Sequence, residues 1–182
     1  GCTFTGNHAE DGGGGGYSCG TADPIFRHCT FYANSAGVNG AGLSASCHGF
    51  LFVESCIIAF STSGEAITCL NDAEATLTCC DLYGNAGGDW VGFIASQYGV
   101  NGNFAQDPLF CDAPSSDLRL HGESPCLPRN HPHGEEGCGV LGAWGVGCPD
   151  TGADPRSLAE ADTRGLRLGL PHPNPFRARV TF

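Results

Sequence analysis

The chain of 182 residues has no lysine and no methionine, and charged residues make up only 15% of it. All eight basic residues are arginine, against 19 Asp and Glu, so the formal net charge is -11. Nucleic acid and anionic membrane surfaces need a basic partner, so both are excluded. No apolar run approaches the ~18 residues of a spanning helix, so no membrane span is expected. The 29 glycines lack an every-third-residue spacing, which excludes collagen, and a hydrophobic content of 41% excludes a disordered acidic chain. Long helices are missing too. No stretch of the first 100 residues holds apolar side chains at helical spacing for a helix of normal length. The chain opens on Gly1-Cys2-Thr3-Phe4 with no basic, apolar leader and stops in the strand-like Val180-Thr181-Phe182. It reads as a piece of a longer protein, or as a processed chain.

Cysteine is what the chain has in plenty, 12 in all. Cys2, Cys29, Cys56 and Cys80 stand 27, 27 and 24 residues apart. Two positions after each come Phe4, Phe31, Ile58 and Leu82, and five positions after each come Asn7, Asn34, Ser61 and Asn85. A second set, Cys19, Cys47 and Cys69, follows small residues such as Gly12 to Gly16 and Gly40-Ala41-Gly42. Short alternating stretches broken by Gly and Asn mean short, half-buried strands and tight turns. A unit of this length repeated about three and a half times fits a solenoid with one coil per repeat.

Stacked coils place identical positions ~4.8 Å apart, the spacing of strands in a sheet. Cys is small and apolar, so a column of Cys2, Cys29, Cys56 and Cys80 suits a narrow interior and is expected to stay reduced. Asn7, Asn34 and Asn85 are expected to form a second column, since Asn amides bond to each other and to turn backbone. Ser61 interrupts that column, so the third coil is expected to turn differently. The shorter third interval points to a tighter loop.

The units from Gly15-Gly16-Tyr17-Ser18-Cys19 through His28-Cys29-Thr30-Phe31-Tyr32-Ala33-Asn34-Ser35-Ala36 resemble the repeats of right-handed parallel β-helix proteins of the pectin-lyase-like superfamily. The resemblance covers residues 1–90. It implies an all-β fold, a right-handed parallel β-helix (solenoid). His28, Ser55 and Cys79 stand where these repeats carry Asn before the Cys.

Residues 91–148 break the period. They are similar to the closing segments of many bacterial secreted β-helices and are expected to form a last coil and an irregular C-terminal cap. Physically, a last coil exposes strand edges and an apolar cross-section, which need covering. Cys111, Cys126, Cys138 and Cys148 are expected to staple this region, with Cys126 joined to Cys138 or Cys148. Spacing does not choose among the three connectivities. Bridged cysteines imply an oxidising compartment.

Residues 149–165 read as a linker, beginning Pro149-Asp150-Thr151-Gly152. Residues 166–182 hold Pro173-Asn174-Pro175-Phe176 before an alternating strand ending in Phe182. They resemble the start of the C-terminal sorting domain of type IX secretion substrates and the related flagellar hook-capping sandwich. This implies a secreted or cell-surface protein of bacterial type that meets the secretion machinery through its tail.

The superfamily includes polysaccharide lyases and hydrolases, whose chemistry places definite demands on side chains. Lyase chemistry needs a base and a cation to stabilise an enolate, and hydrolysis needs two carboxylates within several ångströms. Asp72, Asp81 and Asp89 are the candidate catalytic carboxylates, but they fall at different places in the repeat and read as solvated turn residues. Arg27 is the one basic residue before position 119. His131 and His133, with Glu135, Glu136 and Cys138, form the densest group of metal-ligand types. The expectation is no cofactor, with calcium the cation left open. Trp90, Phe93 and Tyr98 are the candidates for a sugar-stacking platform, weighed against packing between the last coil and the cap. The reading is a non-catalytic module, structural, adhesive or binding a polysaccharide or cell-surface glycan. The alternative is a fragment of a polysaccharide lyase or glycoside hydrolase whose catalytic coils lie upstream.

Overall fold

Strands are short here because each alternating run is cut by a residue with left-handed backbone. Gly6, Ala33, Phe60 and Gly84 have φ of 62°, 52°, 57° and 70° and make one corner of successive coils. His28, Ser55 and Cys79, at 49°, 53° and 53°, make a second. Gly20, Cys47 and Asn71, at 74°, 60° and 51°, make a third. The third coil therefore turns at Phe60-Ser61 as its neighbours do, contrary to the expectation from Ser61. The backbone fixes this turn: Ser61 N–H donates to Asn85 Oδ1 at 3.1 Å, just as Asn7 N–H donates to Asn34 Oδ1 at 2.9 Å.

The computed structural model describes residues 1–20, 22–134 and 137–148. The linker and sorting-domain readings, along with Glu135 and Glu136, lie outside the described residues. The first coil holds β1 (Thr3–Thr5), β2 (His8–Ala9), β3 (Gly16–Cys19) and β4 (Ile25–Arg27). The second holds β5 (Thr30–Tyr32), β6 (Ser35–Ala36), β7 (Leu43–Ser46) and β8 (Phe50–Glu54). The third holds β9 (Ile57–Ala59), β10 (Ile67–Cys69) and β11 (Glu74–Thr78), and β12 (Asp81–Tyr83) opens the fourth. Pairing between coils is parallel throughout, in the orders β1-β5-β9-β12, β3-β7-β10, β4-β8-β11 and β2-β6. A parallel bridge from Asp81 to Phe104 adds a further rung. The chain is thus mostly β, folded as a parallel β-solenoid.

Register fixes what fills the interior. Phe4 pairs with Phe31, Phe31 with Ile58, and Ile58 with Leu82. The Phe4 and Phe31 rings stack at 4.7 Å with 5° between planes. Small residues face this column. A Cβ on Gly15 would stand 2.6 Å from the Phe31 ring, and one on Gly42 2.5 Å from Ile58. Leu43, Leu51, Val53, Ile67 and Leu77 complete the core. Burying each such side chain contributes roughly 1.5–3 kcal/mol.

Cys2, Cys29, Cys56 and Cys80 each precede a strand of the first sheet. Their carbonyls accept from Thr30, Ile57, Asp81 and Phe104, all within 2.9–3.0 Å. All four thiols are free, with Cys29, Cys56 and Cys80 buried and Cys2 exposed. The second cysteine set does not align. Cys19 pairs with Ser46 and Cys69 with Ala45, while Cys47 falls in the turn after β7. The shorter third coil loses its residues between Ser63, which bridges Ser35, and Ile67, which pairs with Leu43.

The last rung is covered by a 3-10 turn, Gly92–Gln97, that buries Ile94 in the core. The Gln97 side chain stands in for a further strand. Its Oε1 accepts from Leu77 N–H at 2.8 Å and its Nε2 donates to Ala75 C=O at 2.7 Å.

The described residues after Phe104 run along the outer face of the first sheet. Gly142 N–H donates to Ser55 C=O at 2.8 Å, and Ala143 N–H to Thr30 Oγ1 at 2.9 Å. Gly142 has φ of 80°, and a Cβ there would stand 2.7 Å from both Ile57 and Thr30. A second core forms in this seam from Ile57, Ala59, Phe104, Leu120, Leu127 and Leu141. The segment carries β13 (Phe110–Asp112), β14 (Asp117–His121) and β15 (Val146–Cys148), with β14 antiparallel to β13 and parallel to β15.

Candidate functional site

The three candidate carboxylates have three separate settings. Asp72 is exposed in the turn before β11, 3.9 Å from His48 Nδ1. Asp89 spends both oxygens on a turn: Oδ1 accepts from Asn85 N–H and Nδ2, and Oδ2 from Gly84 N–H. Asp81 is fully buried, which overturns its reading as a solvated turn residue. It begins β12 and points outward into the seam, where the segment that holds Gln106 and Cys126 covers it. Its Oδ1 accepts from Gln106 N–H at 3.1 Å and its Oδ2 from the Cys126 thiol at 3.3 Å. Burial raises its pKa from 3.8 to about 8.

His131 does not offer a free ring nitrogen. Its Nδ1 accepts from His133 N–H at 3.2 Å, which leaves Nε2 to donate to Gly102 C=O at 3.2 Å. Burial holds its pKa below the usual imidazole range. The ring meets Phe104 edge-on at 4.9 Å. It fastens its loop to the coils next to the Cys79–Cys138 disulfide. Among the described residues no group of three or more ligand side chains comes together.

Trp90 packs against the interior core and donates Nε1–H to Phe104 C=O at 3.0 Å. Tyr98 lies 6.0 Å away and is exposed, as is Phe93. Trp90 thus joins the last coil to the chain that follows it.

The residues that do converge are others. Asp117 and Arg119 lie two apart on β14, so they share a face. Arg119 grips the Asp117 carboxylate with Nε at 2.8 Å and Nη2 at 2.6 Å. The guanidinium holds the Asp117 pKa below the usual carboxylate range, and the carboxylate raises that of Arg119. Gly147 on β15 leaves room for this arginine, since a Cβ there would collide with it. Trp144 donates Nε1–H to Thr3 Oγ1 at 3.0 Å, yet 52% of the residue is exposed. Together Trp144, Thr3, Thr5, Ser116, Asp117 and Arg119 line a groove of about 330 Å³. An aromatic face, a charged fork and hydroxyls meet there. Asp117-x-Arg119 and Thr3-x-Thr5 were visible as two-apart polar pairs, but nothing in the sequence brings positions 3 and 144 together.

Two disulfides lock this region. Cys111 joins Cys148, linking β13 to β15, and Cys79 joins Cys138, linking a coil corner to the covering segment. This corrects the expected pairing: Cys126 is free and buried, committed to Asp81. Disulfides suit an oxidising or extracellular compartment. Among the described residues no helix is long and apolar enough to cross a membrane. No protein-family model matches the chain, and no curated protein or solved structure matches it either.

Proposed function

We propose that the protein is a secreted or cell-surface β-solenoid module that holds a carbohydrate chain in the Trp144 groove without catalysing its breakdown. The observation that carries this reading is the exposed indole of Trp144 beside the Asp117–Arg119 fork and the threonine hydroxyls of β1. One face of a pyranose ring is lined with C–H groups, which pack on an aromatic ring. Its hydroxyls need both donors and acceptors, and the fork and hydroxyls supply them. Ligand sites commonly pair an apolar wall with a few fixed polar groups in this way.

The separation of Asp72, Asp81 and Asp89 supports the non-catalytic half of the reading. Hydrolysis calls for two carboxylates facing one bond, and Asp81 is sealed from solvent. The proposed binding requires no metal. The repeat resemblance supports a right-handed, pectin-lyase-like coil, and Pro173-Asn174-Pro175-Phe176 supports a sorting tail that engages a secretion system.

Sedimentation with insoluble polysaccharides tests binding: the chain should co-sediment with at least one glycan, and Trp144→Ala should stay in the supernatant. Incubation with polyuronides, following absorbance from new double bonds and reducing ends, tests the other half. No turnover is expected. Turnover lost in Asp72→Asn or Asp89→Asn would overturn the non-catalytic reading.

A further inference from the structure

Cys19 and Cys47 are free, exposed and on neighbouring coils. Cys19 ends β3 and pairs with Ser46, so Cys47 is one residue beyond its partner. A strand spacing of ~4.8 Å and a rise of ~3.3 Å put their Cα atoms on the order of 6 Å apart. That falls inside the range of about 4.4–6.8 Å that a disulfide spans.

The surroundings treat the two sulfurs differently. Asn71 Nδ2 donates to Ser46 Oγ at 3.0 Å, and Ser46 Oγ is in turn hydrogen-bonded to Cys47 Sγ at 3.4 Å. The neighbouring Cys19 and Ser46 groups lower the Cys47 pKa, while Cys47 raises that of Cys19. Cys47 also sits at the left-handed corner, φ 60°, where the neighbouring coils carry Gly20 and Asn71. Such backbone strain gathers at functional positions.

We propose that Cys19 and Cys47 form a surface dithiol that closes reversibly into an inter-coil disulfide by exchange with small-molecule disulfides. Cys47 acts as the attacking sulfur and Cys19 as the resolving one. The Cys47 thiolate attacks one sulfur of the small disulfide, forming a mixed disulfide and releasing one small thiolate, which takes up a proton. Cys19 then loses its proton and attacks the Cys47 sulfur, forming the Cys19–Cys47 bond and releasing the second small thiol. The protein gives up two electrons and the small disulfide is reduced to two thiols.

The test is incubation of the reduced-surface full chain with oxidised glutathione, followed by intact mass and peptide mapping. In the wild type, mapping should join the Cys19 and Cys47 peptides with the loss of two hydrogens, while the exposed Cys2 takes up glutathione separately. Cys19→Ser should stop at a stable glutathione adduct on Cys47, since the resolving sulfur is gone. Cys47→Ser should leave Cys19 largely unmodified under the same conditions. Both positions are exposed, so serine there leaves the core intact, and unchanged circular dichroism checks this. The proposal is overturned if the wild type retains adducts on both sulfurs, if it stays reduced, or if either cysteine maps to a different partner. It is also overturned if Cys19→Ser and Cys47→Ser react alike.

Discussion

Cys126 donates its thiol hydrogen to Asp81 at 3.3 Å, inside the seam between the coils and the segment that covers them. The carboxyl is fully buried, and Gln106 N–H is its other partner. It follows that this seam prefers a neutral Asp81.

The pH dependence has a definite sign. The folded pKa of about 8 lies above the unfolded 3.8. The stability gained by keeping the acid neutral is complete below about pH 4 and is lost as pH rises through about 8. Across that window this group alone should lower stability by up to about 1.4 kcal/mol per pH unit. Asp81→Asn keeps an acceptor for Gln106 N–H and removes the charge. Thermal melts from pH 4 to 9 should show Asp81→Asn gaining on the wild type as pH rises. Parallel curves would contradict the buried-acid account.

Gln97 substitutes for a strand, so its amide should hold the last rung closed. Gln97→Ala leaves Leu77 N–H and Ala75 C=O without these partners, at about 1–3 kcal/mol for each group left buried and unpaired. Gln97→Glu keeps the acceptor and loses the donor, so it should fall between. Amide exchange at Leu77 should quicken in the order wild type, Glu, Ala.

Asn34 is fully buried and ties two coils together. It accepts from Asn7 N–H and Asn7 Nδ2 and donates to Phe4 C=O. Asn34→Ala should lower the melting temperature by more than Asn7→Ala, because Asn7 is the exposed end of the pair. Equal shifts would mean the amide ladder adds little.

The Cys79–Cys138 bridge closes a separation of 59 residues, for which chain entropy gives about 4 kcal/mol. Cys138→Ser should free the segment that covers the first sheet while the coils persist. Limited proteolysis should then cut in residues 127–140 well before the coil core, and the Asp81 pH effect should weaken with it.

The solenoid was legible because stacking makes one environment recur at one spacing. Phe4, Phe31, Ile58 and Leu82 meet the same walls, so a period of 27, 27 and 24 residues shows through unrelated surroundings. Cys19, Cys47 and Cys69 recur in the sequence but do not stack, because they are spaced almost, but not quite, on the register. The seam was not legible at all. Its contacts, such as Trp144 to Thr3 and Gly142 to Thr30, each occur once and span more than half the chain, so no repetition announces them. Asp81 looked like a solvated acid for the same reason: what buries it is non-periodic. The candidate site was therefore only partly visible, as the alternating Asp117 and Arg119.

The central claim is that a sugar ring lies against Trp144, and the chain's two tryptophans allow a direct measurement. In Trp90→Phe all indole emission comes from Trp144, which is exposed and lines the groove. Titrating this variant with oligosaccharides of a glycan that the wild type sediments should shift the emission saturably. Arg119→Ala in the same background should weaken the response at least tenfold. Unchanged Trp144 emission at oligosaccharide concentrations that saturate binding would contradict the account and place the glycan elsewhere on the solenoid.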